Sequence, residues 1–134
     1  MKSPVNTKYQ ATGKRKAAIA QVRLDLSGEN KFIVNGKTLE DYFGNHPFQK
    51  SQALKPLTSS KLTNTDVRVV VTGGGLTGQA DAILNGLAKA IGQTDPKLRK
   101  LMRHDGFLTR DSRIVERKKP GRPKARKRFQ FSKR

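Results

Sequence analysis

A glycine-rich segment in the middle of the chain has the spacing of a nucleotide-binding loop. Gly73, Gly75 and Gly78 satisfy the pattern G-x-G-x-x-G, between a valine-rich run and an apolar run with helical spacing. In dinucleotide-binding folds such glycines bring backbone N–H groups close to a pyrophosphate. Here Asp95-Pro96 predicts a second helix next, whereas a βαβ unit requires a second parallel strand. We therefore predict a structural strand-to-helix turn whose N–H groups suit an RNA phosphate. The predicted turn comprises Gly73, Gly74, Gly75 and Gly78.

Acid–base and metal chemistry find little support in the sequence. The chain contains two histidines, His46 and His104, and no cysteine. The acidic residues from Asp25 to Asp66 show neither the i,i+3 spacing nor the histidine-linked spacing of a metal site or an acid–base pair. We therefore predict no catalytic residue, no bound metal and no cofactor, and we expect that the protein is not an enzyme.

The strongest chemical signal is the density of positive charge at the C-terminus. Residues 117–134 contain ten lysines and arginines and no acidic residue, in a chain of net charge +19. Contacts between such side chains and phosphates give affinity that falls steeply with salt, and Phe129 and Phe131 suit stacking on exposed bases. Since no apolar run approaches the roughly 20 residues of a membrane-spanning helix, nucleic acid and not a membrane is the predicted partner. With Pro120, Gly121 and Pro123 and no large aliphatic side chain, the segment is expected to be extended and disordered in free solution.

A DNA-binding alternative lies within the same segment. Residues 120–124, Pro-Gly-Arg-Pro-Lys, resemble an AT-hook, which enters the minor groove of A·T-rich DNA. Proline stands before the glycine, where that motif has arginine, so the match is weak. Fractionation on a sucrose gradient separates the two alternatives, because a DNA-compacting protein would migrate with DNA and not with RNA-containing particles.

The apolar pattern around these motifs predicts one α+β domain, with about four strands and helices packed on one face. A length of 134 residues suits a single core. The predicted strands are 18–25, 31–34, 66–72 and 113–116. One predicted helix begins at Thr38 and a second runs from Pro47 through Leu54. Two more span 78–91, with Gly92 as the stop, and run from Pro96 to Gly106. The expected organisation is a flexible N-terminal segment 1–8, a globular RNA-binding domain 9–116 and a basic tail 117–134.

Five short motifs, in order along the chain, resemble those of the bacterial form of small-subunit ribosomal protein number nine. They are Gly13-Lys14-Arg15-Lys16-Ala17-Ala18, Val34-Asn35-Gly36-Lys37, Gly73-Gly74-Gly75-Leu76-Thr77-Gly78-Gln79-Ala80, Leu108-Thr109-Arg110-Asp111-Ser112-Arg113 and Ser132-Lys133-Arg134. The resemblance extends from about Tyr9 to Arg134. It implies a fold like the second domain of ribosomal protein number five and a structural role in translation.

The resemblance also implies partners. The domain would lie in the head of the small subunit on the 3′ major domain of the rRNA, beside neighbouring head proteins and near the mRNA decoding region. The location would be cytoplasmic ribosomes, or the plastid stroma for an organellar chain. The tail would end at the anticodon stem-loop of the peptidyl-site tRNA. The implied tRNA-binding residues are Ser132, Lys133 and Arg134, with Lys127 and Arg128 just behind them. The expected rRNA-binding residues are Lys14, Arg15, Lys16, Arg110, Arg113, Arg117, Lys118, Lys119, Arg122, Lys124 and Arg126.

Overall fold

The computed structural model describes residues 8–132. Of the predicted flexible segment 1–8 only Lys8 is among them, and Lys133 and Arg134 also lie outside them. The strands are β1 (Lys8–Arg15), β2 (Ala18–Asp25), β3 (Phe32–Val34), β4 (Lys37–Thr38) and β5 (Asp66–Thr72). The helices are α1 (Leu39–Phe43), α2 (Pro47–Ser60), α3 (Leu76–Thr94) and α4 (Pro96–His104).

The predicted α+β class is confirmed, with five described strands in one mixed sheet where about four were expected. Their order is β1-β2-β5-β3-β4, and β3 pairs with β5 in parallel while the other pairs are antiparallel. The alternation of buried and exposed residues along the strands shows which face of the sheet the helices cover. Val22 and Leu24 on β2 are buried, as are Val67 and Val69 on β5, whereas their neighbours along each strand are exposed or half-buried. The buried face packs against α3, and α2 and α4 in turn pack against α3.

The turn between β3 and β4 explains the motif at residues 34–37. Asn35 and Gly36 both have positive φ, 51° and 80°, as a tight two-residue hairpin requires. The Asn35 side chain donates to the Val71 carbonyl at 3.0 Å and accepts from the Val71 N–H at 2.9 Å. The Asn35 amide therefore makes the pair of hydrogen bonds that the backbone of a further strand residue would make, so β3 stays attached to β5 beyond its last residue.

Two predicted helix ends are wrong. Helix α3 does not stop at Gly92 but continues to Thr94. Gly92 packs against the Arg99 stem of α4, where a Cβ would lie 3.4 Å from Arg99 Cγ. The stop comes from Asp95-Pro96, since a residue before proline disfavours the helical conformation. Helix α2 continues to Ser60, well past the predicted end near Leu54.

The strand predicted at residues 113–116 is also wrong. Ile114 and Val115 have the β-branched side chains of a strand, but they are 66% and 85% exposed and none of the five described strands pairs with them. In the described chain no helix or strand follows His104. Conversely, β1 was not predicted, because its inward positions hold Tyr9, Ala11 and Gly13, which give little hydrophobic signal.

Small residues bring β1 and α3 unusually close. A Cβ on Gly13 would lie 1.9 Å from the Ala82 carbonyl oxygen, and one on Gly86 would lie 2.8 Å from Val22 Cγ2 and 2.9 Å from the Gly13 nitrogen. Only hydrogen fits at these two positions. The crossing therefore depends on glycine on both sides.

We expect the same substitution at two glycines of α3 to have opposite effects. Gly86→Ala should lower the free energy of unfolding by about 2–3 kcal/mol, because its methyl group displaces backbone. Gly92→Ala, with only ordinary contacts to Arg99, should raise it by up to about 1 kcal/mol through helix propensity. Urea denaturation followed by circular dichroism measures both. A stable Gly86→Ala variant would contradict the close crossing.

Candidate nucleic-acid interface

The glycine segment forms the turn between β5 and α3. Gly73 and Gly74 have φ of 72° and 68°, the left-handed conformation that favours glycine. A Cβ on Gly73 would lie 2.5 Å from the Ala17 carbonyl oxygen, in the turn between β1 and β2. The two turns are therefore packed together, and they place the first residues of α3 beside the tip of the β1–β2 hairpin.

Side chains from two other helices hold the glycine turn in place. Gln79 Nε2 donates to the Gly73 carbonyl at 3.0 Å, and Gln79 Oε1 accepts from the Tyr42 hydroxyl of α1 at 2.6 Å. Gln49 of α2 donates to Thr77 Oγ1 at 3.3 Å. These bonds satisfy polar groups around the turn within the chain and fix its position relative to α1 and α2.

The β1–β2 hairpin presents two of the predicted RNA-binding lysines. Lys16 adopts a positive φ of 53° in the two-residue turn between the paired residues Arg15 and Ala18. Lys14 and Lys16 are both exposed. Across residues 8–132 neither side chain makes a hydrogen bond or an ion pair. Both ammonium groups are therefore available to an external anion.

Arg15 lies between these lysines but points inward. Its side chain is 14% exposed, and its guanidinium lies 3.7 Å from Asp81 Oδ2 of α3 and 3.3 Å from Asp111 Oδ2. It also donates to the Arg113 carbonyl at 3.0 Å. Arg15 thus joins the hairpin, α3 and the segment that leads into the tail. The predicted contact of Arg15 with rRNA stays a prediction. Within the chain, its positive charge is paired with the carboxylates of Asp81 and Asp111.

Arg15, Asp81, Asp111 and Arg113 form an ion cluster, in which Asp111 binds both arginines. Its carboxylate accepts from Arg113 Nε and Nη2, with the closest contacts at 2.9 and 2.6 Å. These hydrogen bonds, with the nearby charges of Arg113 and Arg15, hold the pKa of Asp111 well below its ordinary value. A groove of about 240 Å³ beside it is lined by the predicted residues Lys14, Arg110 and Arg113. The structure therefore brings together basic residues from the first and fourth motifs.

The tail is organised around one carboxylate that the sequence analysis did not single out. Glu116 accepts from Lys119 Nζ at 2.6 Å and from Arg126 Nε at 3.0 Å. These bonds lower the pKa of Glu116. Gly121, with φ of 75°, allows the chain to reverse between the two cations. Glu116 lies immediately before the tail, so the charge density of residues 117–134 gives no sign of it.

The remaining tail cations face solvent. Their side chains make no ion pair within the part of the chain that the structure describes. These residues are Arg117, Lys118, Lys124, Lys127 and Arg128. Arg122 donates only to the Arg126 carbonyl, at 3.4 Å. Phe129, Phe131 and Ser132 are exposed as well, so cationic and aromatic groups suited to phosphates and bases lie together.

The family model for ribosomal protein S9/S16 matches residues 13–134, which contain all five motifs. The chain belongs to this family. It is 48% identical to small ribosomal subunit protein uS9 of Sulfurovum sp. (strain NBC37-1), over 92% of this chain and 96% of that protein. It is 50% identical to the protein of the same name from Rickettsia bellii (strain OSU 85-389), over 95% and 77%, and 48% identical to that of Rickettsia canadensis (strain McKiel), over 96% and 79%.

The resemblance seen in the motifs is therefore confirmed. As a member of this family the protein is a structural component of the small ribosomal subunit in cytoplasmic ribosomes, and it is not an enzyme. Within residues 8–132, no helix is both long and apolar enough to cross a membrane. The same residues contain no group of three or more histidines and carboxylates placed to hold a metal ion.

We expect the contribution of Asp111 to stability to depend on pH. Because its pKa is lower in the folded chain than its ordinary value of 3.8, ionised Asp111 stabilises the fold above that pH. The contribution is lost as the pH falls through the folded-state pKa. Asp111→Asn should therefore unfold at lower urea concentration than the wild type at pH 7, and the difference should shrink below about pH 4.

A matched control is available six residues earlier. The Asp105 side chain makes no hydrogen bond or ion pair among the described residues, so Asp105→Asn should change the urea midpoint little at either pH. If the Asp111→Asn difference were equally large at pH 7 and at acidic pH, ionisation of Asp111 would not be its cause.

Proposed function

We propose that this protein binds the 3′ major domain of the small-subunit rRNA in the head of the subunit and reaches the peptidyl-site tRNA with its C-terminal tip. The observation that carries the proposal is a set of five exposed tail cations without an ion pair among the described residues, Arg117, Lys118, Lys124, Lys127 and Arg128, in a tail whose preceding segment is fixed to the domain by the Arg15–Asp111 ion pair. Because residues 111–113 are fixed to the domain, the domain determines where the tail begins. From that point the tail can extend along the phosphates of the RNA.

The rRNA-binding part of the proposal rests on two groups of exposed cations. Lys14, Arg110 and Arg113 line the groove beside Asp111, with Lys16 in the adjoining hairpin turn, and the basic residues from Arg117 to Arg126 follow directly along the chain. Neutralising phosphates with such groups releases counterions, which gives strong and salt-dependent affinity. Arg113 is the weaker donor of the first group, since part of its guanidinium already binds Asp111.

The tRNA-binding part rests on the end of the tail. Lys127, Arg128 and Ser132 are exposed, and Lys133 and Arg134 follow beyond the described residues. Contacts from these groups to the tRNA backbone would not depend on base sequence, as a site that serves every tRNA requires. Charge-assisted hydrogen bonds each contribute about 1.5–3 kcal/mol, so a few of them would affect tRNA affinity measurably.

The proposed organisation is a globular domain 9–116 and a tail 117–134, with Lys8 in front of the domain as the first residue of β1. After α4 the chain stays attached to the domain. Asn85 Nδ2 donates to the Phe107 carbonyl at 3.1 Å, and Phe107 and Leu108 pack against the core. The mixed sheet with helices on one face supports the implied likeness to the second domain of ribosomal protein number five. Head proteins and the mRNA decoding region complete the proposed surroundings.

Removal of the tip should separate tRNA binding from assembly. Ribosomes carrying the chain without residues 132–134 should sediment normally, but they should bind peptidyl-site tRNA about tenfold or more weakly, because charge-assisted contacts to phosphate are lost. Filter binding of tRNA to purified subunits measures this. The control Lys133→Arg/Arg134→Lys keeps both charges and should bind like the wild type. Unchanged affinity in the truncated ribosomes would remove the tip from tRNA binding.

Removal of the whole tail should also impair assembly. A chain ending at Glu116 should incorporate poorly into small subunits during reconstitution, because the phosphate contacts that anchor it are absent. Replacing the ten basic residues of 117–134 by glutamine should give the same defect at full length. Exchanging each lysine for arginine and each arginine for lysine should preserve most incorporation. Normal incorporation of the glutamine variant, measured on sucrose gradients, would refute rRNA anchoring by the tail.

A further inference from the structure

Helix α4 carries a group of cations outside the predicted site. Lys97, Arg99, Lys100 and Arg103 are all exposed. Over residues 8–132 none of these side chains makes a hydrogen bond or an ion pair with another residue. Two acidic residues, Asp95 and Asp105, flank the helix, so the four cations exceed them by two charges. The Asp95 carboxylate accepts from the Lys97 backbone N–H as the N-cap, at 2.9 Å. The helix therefore presents uncompensated positive charge.

The position of these cations along the helix is electrostatically unfavourable within the protein. A helix is stabilised by acidic side chains in its first turn and basic ones in its last turn. The first turn of α4 contains no acidic residue, and Lys97 lies within it. Arg103 in the last turn has a favourable interaction with the helix dipole, but Lys97 and Arg99 near the start do not. Intrahelical electrostatics does not account for the first half of the pattern.

The spacing of the cations along α4 is also unfavourable for the helix. Arg99 and Arg103 are four residues apart, and Lys97 and Lys100 are three apart, so each pair lies on adjacent turns and repels. The apolar residues Leu98, Leu101 and Met102 occupy the opposite side and pack into the core. The repelling charges are therefore gathered on the solvent face, over about 9 Å of helix from Lys97 to Arg103.

This charged face is rigidly placed and continuous with other basic groups. The Arg99 stem packs over Gly92 of α3, and Arg99 lines a crevice with Lys89 and Leu108. Leu108 is followed directly by Thr109 and Arg110 of the groove beside Asp111. A basic surface thus extends from α4 to the root of the tail. A rigid row of lysine and arginine suits the regularly spaced phosphates of a nucleic-acid strand better than isolated carboxylates.

We propose that the solvent face of α4, through Lys97, Lys100 and Arg103, is a second docking surface for consecutive phosphates of an rRNA strand, separate from the tail. This inference rests on the proposed binding of rRNA. The surface fixes the orientation of the domain, because α4 belongs to the folded core, whereas the tail can adapt to the path of the RNA.

The test compares two triple variants of the full-length chain with equal loss of charge. The first is Lys97→Gln/Lys100→Gln/Arg103→Gln. The control is Lys37→Gln/Lys55→Gln/Arg68→Gln, which removes two lysines and one arginine from exposed positions elsewhere on the domain. The probe is a transcript of the small-subunit rRNA 3′ major domain, and binding is measured from about 50 to 500 mM salt. Circular dichroism checks that both variants are folded.

The α4 variant should reduce the slope of log K against log salt by about 2–3 units, since each lost phosphate contact removes about 0.7–0.9. Its affinity at 0.1 M salt should fall by roughly ten- to a hundredfold, and the control should retain most of the wild-type slope. Lys97→Arg/Lys100→Arg/Arg103→Lys should restore binding.

Equal slopes for the two glutamine variants would overturn a specific role for α4 while leaving the proposed function intact. If the wild-type chain itself did not bind the transcript, the proposed function would fail instead. A loss of folded structure in the α4 variant alone would show that these cations stabilise the domain, and would likewise overturn the proposal.

Discussion

The close crossing of β1 and α3 is the constraint on which the rest of the molecule depends. With no side chain at Gly13 or Gly86, the helix lies directly against the strand backbone. That approach brings the start of α3 to the tip of the β1–β2 hairpin, where Asp81 meets Arg15. Arg15 in turn contacts Asp111 and the Arg113 carbonyl, so the segment leading to the tail is fixed by the same crossing.

Acidic and basic side chains have different roles in this arrangement. Most of the few carboxylates are used inside the protein. Asp66 accepts from the backbone N–H groups of Glu29 and Lys31, Asp95 caps α4, and Glu116 closes the turn at the start of the tail. These acids serve local structure, and the 29 lysines and arginines outnumber the ten acidic residues. The excess of positive charge is left for phosphates.

Four of the five family motifs each have a separate physical reason in the structure. Gly13 permits the helix crossing, and the Asn35 amide continues the pairing of β3 with β5. Gly73 and Gly74 adopt a backbone conformation unfavourable for other residues, and Gln79 holds their turn. Asp111 orients Arg113 and binds Arg15. These residues mainly position the basic groups, and the groups that would meet RNA lie between them.

The sequence by itself determined the elements whose signal is local. Alternation of apolar residues specified β2 and β5, Asn-Gly the β3–β4 turn, and Asp95-Pro96 the start of α4, while the density of lysine and arginine predicted a polyanionic partner. Only the tertiary structure decided that residues 8–15 form an edge strand, that Gly92 lies inside a helix, and that residues 113–116 pair with none of the strands in the described part of the chain. It alone turned Arg15 inward, since the Arg113 carbonyl that Arg15 binds lies 98 residues further along the chain. Local patterns report what a segment can form, whereas burial and ion pairing depend on which distant segment arrives beside it.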